Sequence, residues 1–215
     1  MTWDEFDAWS EHSLEGFAAQ QVASGLHSGA EATAYAREQL AELLPAGLAT
    51  PLHLLRTVVE PAAGDAVVGW LWLRVRPSPG EVEAYVFDVE VAEHARGRGM
   101  GRATMLAAER TARDLAADVV RLTVFGHNTA ARALYDSLGY VVTTAFVTKT
   151  LDGEEPAAHA EDLRSRAALE AAERRAREQG ADSLGVTLHG CDEADRALYD
   201  SAGYVLTAQL RAKSL

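Results

Sequence analysis

Residues 89–102 read Val-Glu-Val-Ala-Glu-His-Ala-Arg-Gly-Arg-Gly-Met-Gly-Arg, and the fold turns on this stretch. Strand-forming residues run into Arg96-Gly97-Arg98-Gly99-Met100-Gly101-Arg102, and a helical pattern follows at once. Glycine at every second position lets the backbone turn tightly and approach a ligand with no Cβ in the way. A helix that starts there points its free N–H groups and the positive end of its dipole back at the loop. Such a place binds anions, and phosphate is the usual occupant. Arg96, Arg98 and Arg102 lie in the same stretch of a chain whose formal net charge is -12.

The spacing excludes two phosphate loops. A P-loop ends in Gly-Lys-Ser/Thr, which is absent, and a dinucleotide fingerprint needs G-x-G-x-x-G where this loop has G-x-G-x-G. Arg96-x-x-Gly99-x-Gly101, between a strand and a helix, resembles the pyrophosphate loop of the GCN5-related N-acetyltransferase (GNAT) family. Asn128-x-x-Ala131-x-x-Leu134-Tyr135-x-x-x-Gly139-Tyr140 is similar to that family's second cofactor segment. The stretches 43–53 (LLPAGLATPLH) and 83–91 (EAYVFDVEV) resemble a bacterial branch of it, and the likeness covers nearly all of residues 1–151. The resemblance implies an α/β fold, with a mixed central sheet and helices on both faces. It also implies acetyl-CoA as cosubstrate, held by Val89, Val91, Arg96, Gly97, Arg98, Gly99, Met100, Gly101, Arg102, Asn128, Ala131 and Tyr135.

Composition sets the outer bounds. The chain has 215 residues, 48% hydrophobic and 24% charged, which is the make-up of an ordinary globular protein. An acidic chain with a pI near 5.0 lacks the basic footprint of a nucleic-acid binder and would attract a cationic amine. The lone Cys191 allows no disulfide within the chain, which points to a reducing cytoplasm. The acidic start MTWDEFDAWSEHS does not read as a signal peptide or membrane span, and no long apolar run follows. No metal site is expected from the spacing of the histidines, and His12, His27, His53, His94 and His159 read as surface or structural residues.

Along the chain, helices are expected over residues 3–24 and, after a Ser28 cap, 31–44. Strands are expected at 52–59, 66–75 and 81–91, with a turn at 76–80. A helix at 102–116, a nearly all-apolar strand at 119–125, an Asn128-capped helix at 129–138 and a strand at 140–151 follow. Helices interleaved with strands mean an α/β sheet. Residues 107–151 then return at 171–215, an offset of 64, with 23 of 45 aligned positions identical; RALYDSLGY comes back as RALYDSAGY. The expected division is an acetyltransferase domain at 1–151, an acidic linker at 152–162 and a degenerate αβαβ half-repeat at 163–215. The second copy has no glycine opposite the loop, no strand is read before it, and Asp192 replaces Asn128. It is expected to bind no acetyl-CoA and to extend the sheet or pack across a dimer.

The chemistry sets further candidates. An amine attacking a thioester must lose a proton. Glu83, Asp88 and Glu90 lie on the strand before the loop, and strict alternation puts Asp88 and Glu90 on one face and Glu83 on the other. Each is a candidate base, as is water or His127. The resemblance places the oxyanion donor at a bulge near Val89–Val91 and makes Tyr135 the acid for the departing thiolate. The expected activity is direct transfer of acetyl from acetyl-CoA to a primary amine of a small molecule or peptide in a ternary complex. The alternative is an acyl-CoA-binding regulatory or assembly protein without turnover. A spare sheet edge beside the repeat allows a homodimer.

Overall fold

A computed structural model describes residues 1–24, 27–151 and 158–215. Helix α1 (Trp3–Ala23) starts at a capping box, in which Glu5 N–H donates to Thr2 Oγ1 and Thr2 N–H donates to the Glu5 carboxylate. Helix α2 (Gly29–Leu43) starts the same way at Ser28 and Glu31. Strands β1 (His53–Glu60), β2 (Ala66–Ser78) and β3 (Glu81–Val91) lead to helix α3 (Met100–Asp114), strand β4 (Val119–Phe125), helix α4 (Thr129–Ser137) and strand β5 (Val141–Thr150). The remainder is β6 (Ala158–Glu161), α5 (Arg166–Glu178), β7 (Ser183–His189), α6 (Glu193–Ser201) and β8 (Val205–Ser214).

Two expectations need correction. The turn read at 76–80 is narrower, because β2 continues through Pro77 and Ser78, which pair with Val82 and Glu81. Reversal falls on Pro79 and Gly80, where Gly80 takes φ +83°. The acidic linker is shorter than expected: Ala158–Glu161 forms β6, parallel to β7, so the second copy does have a strand before its helix. The rest of that linker, 152–157, lies outside the described residues.

The fold comprises two compact units that do not follow chain order. The first is residues 1–122, 133–140 and 212–215; the second is 123–132 and 141–211. In the first, β1, β2 and β3 pair antiparallel and β3 pairs parallel with β4. Helices cover both faces of β3. Glu90 and Val91 point to opposite sides; His12 of α1 bonds Glu90, and Gly101 of α3 comes against Val91. Trp9, Leu44, Leu55 and Trp72 form a core on the α1 side, while Met105, Ala108 and Ala112 bury the apolar stripe of α3 completely. In the second unit the strand order is β8-β5-β7-β6, and its core joins Val147, Leu169, Leu184, Val186, Leu188 and Tyr199. Among the described residues no helix is long and apolar enough to cross a membrane.

Gly69 of β2 sits where any Cβ would lie 2.1 Å from the Glu90 carbonyl oxygen. Gly69→Ala should therefore push β2 from β3 and cost about 1–3 kcal/mol. Chemical denaturation checks this, and an unchanged midpoint would contradict so close a crossing.

Candidate active site

The site grows out of a change in how β3 is paired. From Glu83 to Val86 this strand has β4 on one side and β2 on the other. Past Val86 the β2 register slips: Trp72 faces Asp88 while Leu73 faces Val86, so Phe87 is an extra residue. This is a β-bulge, two residues upstream of where the family resemblance put it. It also overturns the expected sidedness of the carboxylates. Cross-strand partners share a face. The partners of Glu83, Asp88 and Glu90 are Arg76, Trp72 and Trp70, all on one face of β2. The bulge inverts the alternation and brings the three acids to the same side.

They do not share an environment. Glu83 is buried and tied to Arg76 at 3.4 Å and Arg121 at 3.1 Å; Arg121 also holds Glu81 at 2.6 Å. Asp88 accepts from Trp9 Nε1 at 3.1 Å. Burial drives its carboxyl pKa above the ordinary range, the Trp9 donor works against this, and the charge of Glu90 adds to it. Glu90 meets His12 Nε2 at 2.8 Å and Arg96 at 3.8 Å, and the His12 ring lies 5.2 Å from that of Trp70. His12 and Trp9 were missed in the sequence; their i, i+3 spacing on α1 was the available signal.

The backbone of β3 is oriented as well. Ala92 N–H donates to Val68 O at 2.8 Å, which fixes the alternation of the β2–β3 ladder. Val89 and Val91, opposite Leu71 and Gly69, then turn their N–H groups away from β2. On that side the Val91 carbonyl accepts from Arg96 Nε at 2.8 Å.

The glycine loop is built as its sequence suggests. Gly97 and Gly99 take φ +72° and +82°, and no atom lies within 4 Å of where a Cβ would stand on either. Gly99 is the N-cap of α3, so no side chain bonds the helix end, and the first helical bond runs from Ala103 N–H to Gly99 O at 3.0 Å. Arg98 is paired with Glu60, and Arg102 reaches Ser137 Oγ at 2.9 Å. Gly101 packs on Leu134 of α4. Tyr135, one residue on, is 5% exposed with its ring 5.7 Å from Tyr140. Asn128 Oδ1 accepts from Ala131 N–H at 3.1 Å and so caps α4 two turns before Tyr135. Among the described residues no cluster could hold a metal.

Residues 27–140 match the acetyltransferase (GNAT) family. The chain belongs to that family. It is 30% identical over 151 residues to the uncharacterized N-acetyltransferase YycN of Bacillus subtilis, covering 70% of this chain and 96% of that one. The crystal structure of YycN superposes with a TM-score of 0.63 at 28% identity, over 72% of this chain and 94% of YycN. The mycothiol acetyltransferase of Pseudarthrobacter chlorophenolicus is 39% identical over 80 residues, 36% of this chain and 25% of that protein.

The matching helix end in the second copy is closed. Ser165 caps α5, its Oγ accepting from Ala168 N–H at 3.2 Å, so that helix end is sealed where α3 is open. Arg164 lies on Asp195 at 2.5 Å, on Asp162 at 3.2 Å and on the His189 carbonyl. Tyr199, the counterpart of Tyr135, donates its hydroxyl to Leu163 O at 2.6 Å, and burial pushes its pKa up to about 12.

The Asp88 environment makes a pH prediction. Its folded pKa is raised above the open-chain value of about 3.9, so the folded state binds this proton more tightly. Its contribution to stability is full below the open-chain value and is lost as pH rises through the folded one. Asp88→Asn, which keeps an acceptor for Trp9, should abolish that decline. Melting temperatures of both proteins from pH 4 to 8 should diverge in favour of the variant as pH rises; parallel curves would refute the burial argument.

Proposed function

We propose that the chain is an acetyl-CoA-dependent N-acetyltransferase whose site residues all lie within residues 1–151. The acceptor is a primary amine of a small molecule or peptide. The observation that carries this reading is the open amino end of α3, capped by a glycine and lined by Gly97 and Gly99 at positive φ. A diphosphate would fit there, because the Gly99 N-cap has no side chain to bond the helix end and nothing lies within 4 Å in the Cβ directions of Gly97 and Gly99. The first N–H groups of α3, with Met100, Gly101 and Arg102 among them, and the guanidinium of Arg96 would bind it. Arg98 would join by leaving Glu60. The names of YycN and YdgE of Bacillus subtilis, each an uncharacterized N-acetyltransferase, support the same class.

The cosubstrate supplies a thioester carbonyl, and the protein must place, polarise and deprotonate around it. The Val89 and Val91 N–H groups, turned away from β2, suit the carbonyl oxygen as charge develops on it. Asp88 is the best-suited proton acceptor of the three acids, since burial raises its affinity for a proton while Glu83 is held by two arginines. Glu90 with His12 lies next to it on the same face and would pass the proton outward. The amine nitrogen forms its bond to the acetyl carbon, the carbon–sulfur bond breaks, and Tyr135 gives a proton to the sulfur. Asn128 and Ala131 fix the start of the helix that carries Tyr135 and would meet the pantetheine arm. The acidic net charge favours approach of a cationic amine.

An amine panel with acetyl-CoA and a thiol reagent should show amine-dependent release of free thiol. Tyr135→Phe should lower turnover roughly 10²-fold or more while coenzyme affinity is kept. Coenzyme binding with no thiol release for any amine would instead favour a non-catalytic acyl-CoA-binding protein.

A further inference from the structure

Contacts recur in the two copies at the offset of 64 residues, but with their closing strands traded. Lys213 of β8 donates to Glu109 of α3 at 2.8 and 2.9 Å, and Lys149 of β5 donates to Glu173 of α5 at 2.9 Å. Had each helix used the strand that follows it in its own copy, Glu109 would hold Lys149 and Glu173 would hold Lys213. The ammonium groups keep the same trade, Lys213 lying 5.7 Å from the Tyr140 ring and Lys149 5.6 Å from the Tyr204 ring.

The backbone repeats it. Leu215 N–H donates to Asp118 O at 3.0 Å and Gly126 N–H to Thr207 O at 2.8 Å, at the two ends of β4. Leu151 N–H donates to Asp182 O at 2.5 Å and Gly190 N–H to Thr143 O at 2.8 Å, at the two ends of β7. Between the traded strands, Thr143 Oγ1 donates to Leu210 O and Thr207 Oγ1 to Phe146 O, again one contact and its image. Residues 212–215, at the end of the chain, accordingly belong to the compact unit that contains α3.

We infer that the two copies have exchanged their last strands within one chain. β8 closes the α3–β4–α4 half and β5 closes the α5–β7–α6 half. The second copy therefore has a definite role: it lends residues 212–215 to the compact unit that carries the glycine loop.

Sequence differences between the strands explain the choice. The contact positions Thr143/Thr207, Lys149/Lys213 and Leu151/Leu215 are identical, so they favour neither arrangement. Ala145 and Val147, however, are replaced by Gln209 and Arg211. Val147 packs in the apolar core with Leu169, Leu184 and Leu188. Arg211 in its place would bring a guanidinium into that core without acceptors. In β8 it is 2% exposed but bonded to Gln209 Oε1 at 2.7 and 3.1 Å and to the Arg132 carbonyl at 3.3 Å. The charge is tolerated in one slot and excluded from the other.

Crosslinking on the full chain tests the exchange. In a Cys191→Ser background, Glu109→Cys with Lys213→Cys should be joined within the monomer by a short bis-maleimide, and Glu109→Cys with Lys149→Cys should not. The reverse result, or a covalent dimer from the first pair, would overturn the inference. Should neither pair react, a double-mutant cycle on unfolding decides. Glu109→Gln should be non-additive with Lys213→Met and additive with Lys149→Met; the opposite pattern rejects the exchange. Neither readout depends on catalysis, so loss of the acetyl-transfer reading would leave this result standing.

Discussion

Strand β3 pairs with both β2 and β4 from Glu83 to Val86 and, among the described residues, with β2 alone thereafter, and the site depends on that asymmetry. While both sides are paired, its N–H and C=O groups are committed to the sheet. After Val86 the β4 ladder ends, a bulge forms at Phe87, and the backbone of Val89 and Val91 turns its other edge outward. The same bulge places Asp88 beside Trp9 and Glu90 beside His12. The strand then runs straight into the loop of Gly97 and Gly99. The polar side chains, the amides turned away from β2 and the glycine-capped helix end thus share one origin.

Charge is arranged around this point in layers. Glu83 and Glu81 are neutralised by Arg121 and Arg76 at the far end of β3, where the strand is still fully paired. Near the loop, the partly buried Asp88 has, among the described residues, only the neutral donors Trp9 and Ser13 as hydrogen-bond partners, and burial raises its proton affinity. The arginines of the loop rest meanwhile on protein groups: Arg96 on Val91 O and Glu90, Arg98 on Glu60, Arg102 on Ser137. These are exposed contacts in high dielectric, so a polyanion at the helix end could compete for them at low cost.

The repeat in the sequence shows how one pattern can serve two ends. α3 and α5, and α4 and α6, lie in two stretches that align with each other. Glycine at 99 leaves one helix end bare, whereas Ser165 and Arg164 fill the other with side chains. Tyr135 and Tyr199 stand at matching places, and Tyr199 donates its hydroxyl to the Leu163 carbonyl.

Most of the element order was legible in the chain, because hydrophobic period and cap residues act within a few positions of one another. β3 and β4 fall at the residues read from their patterns, the Ser28 and Asn128 caps form, and the glycine loop adopts the conformations its glycines permit. What could not be read were features that need a partner distant in sequence. The bulge at Phe87 exists only relative to β2, so alternation alone misassigned the face of Glu83. β6 is too short to show a period and is a strand only beside β7. The traded strands lay beyond any local reading, since β5 and β8 carry the same contact residues. Only the burial of Arg211 against Gln209 and Arg132, set by three-dimensional packing, separates their places.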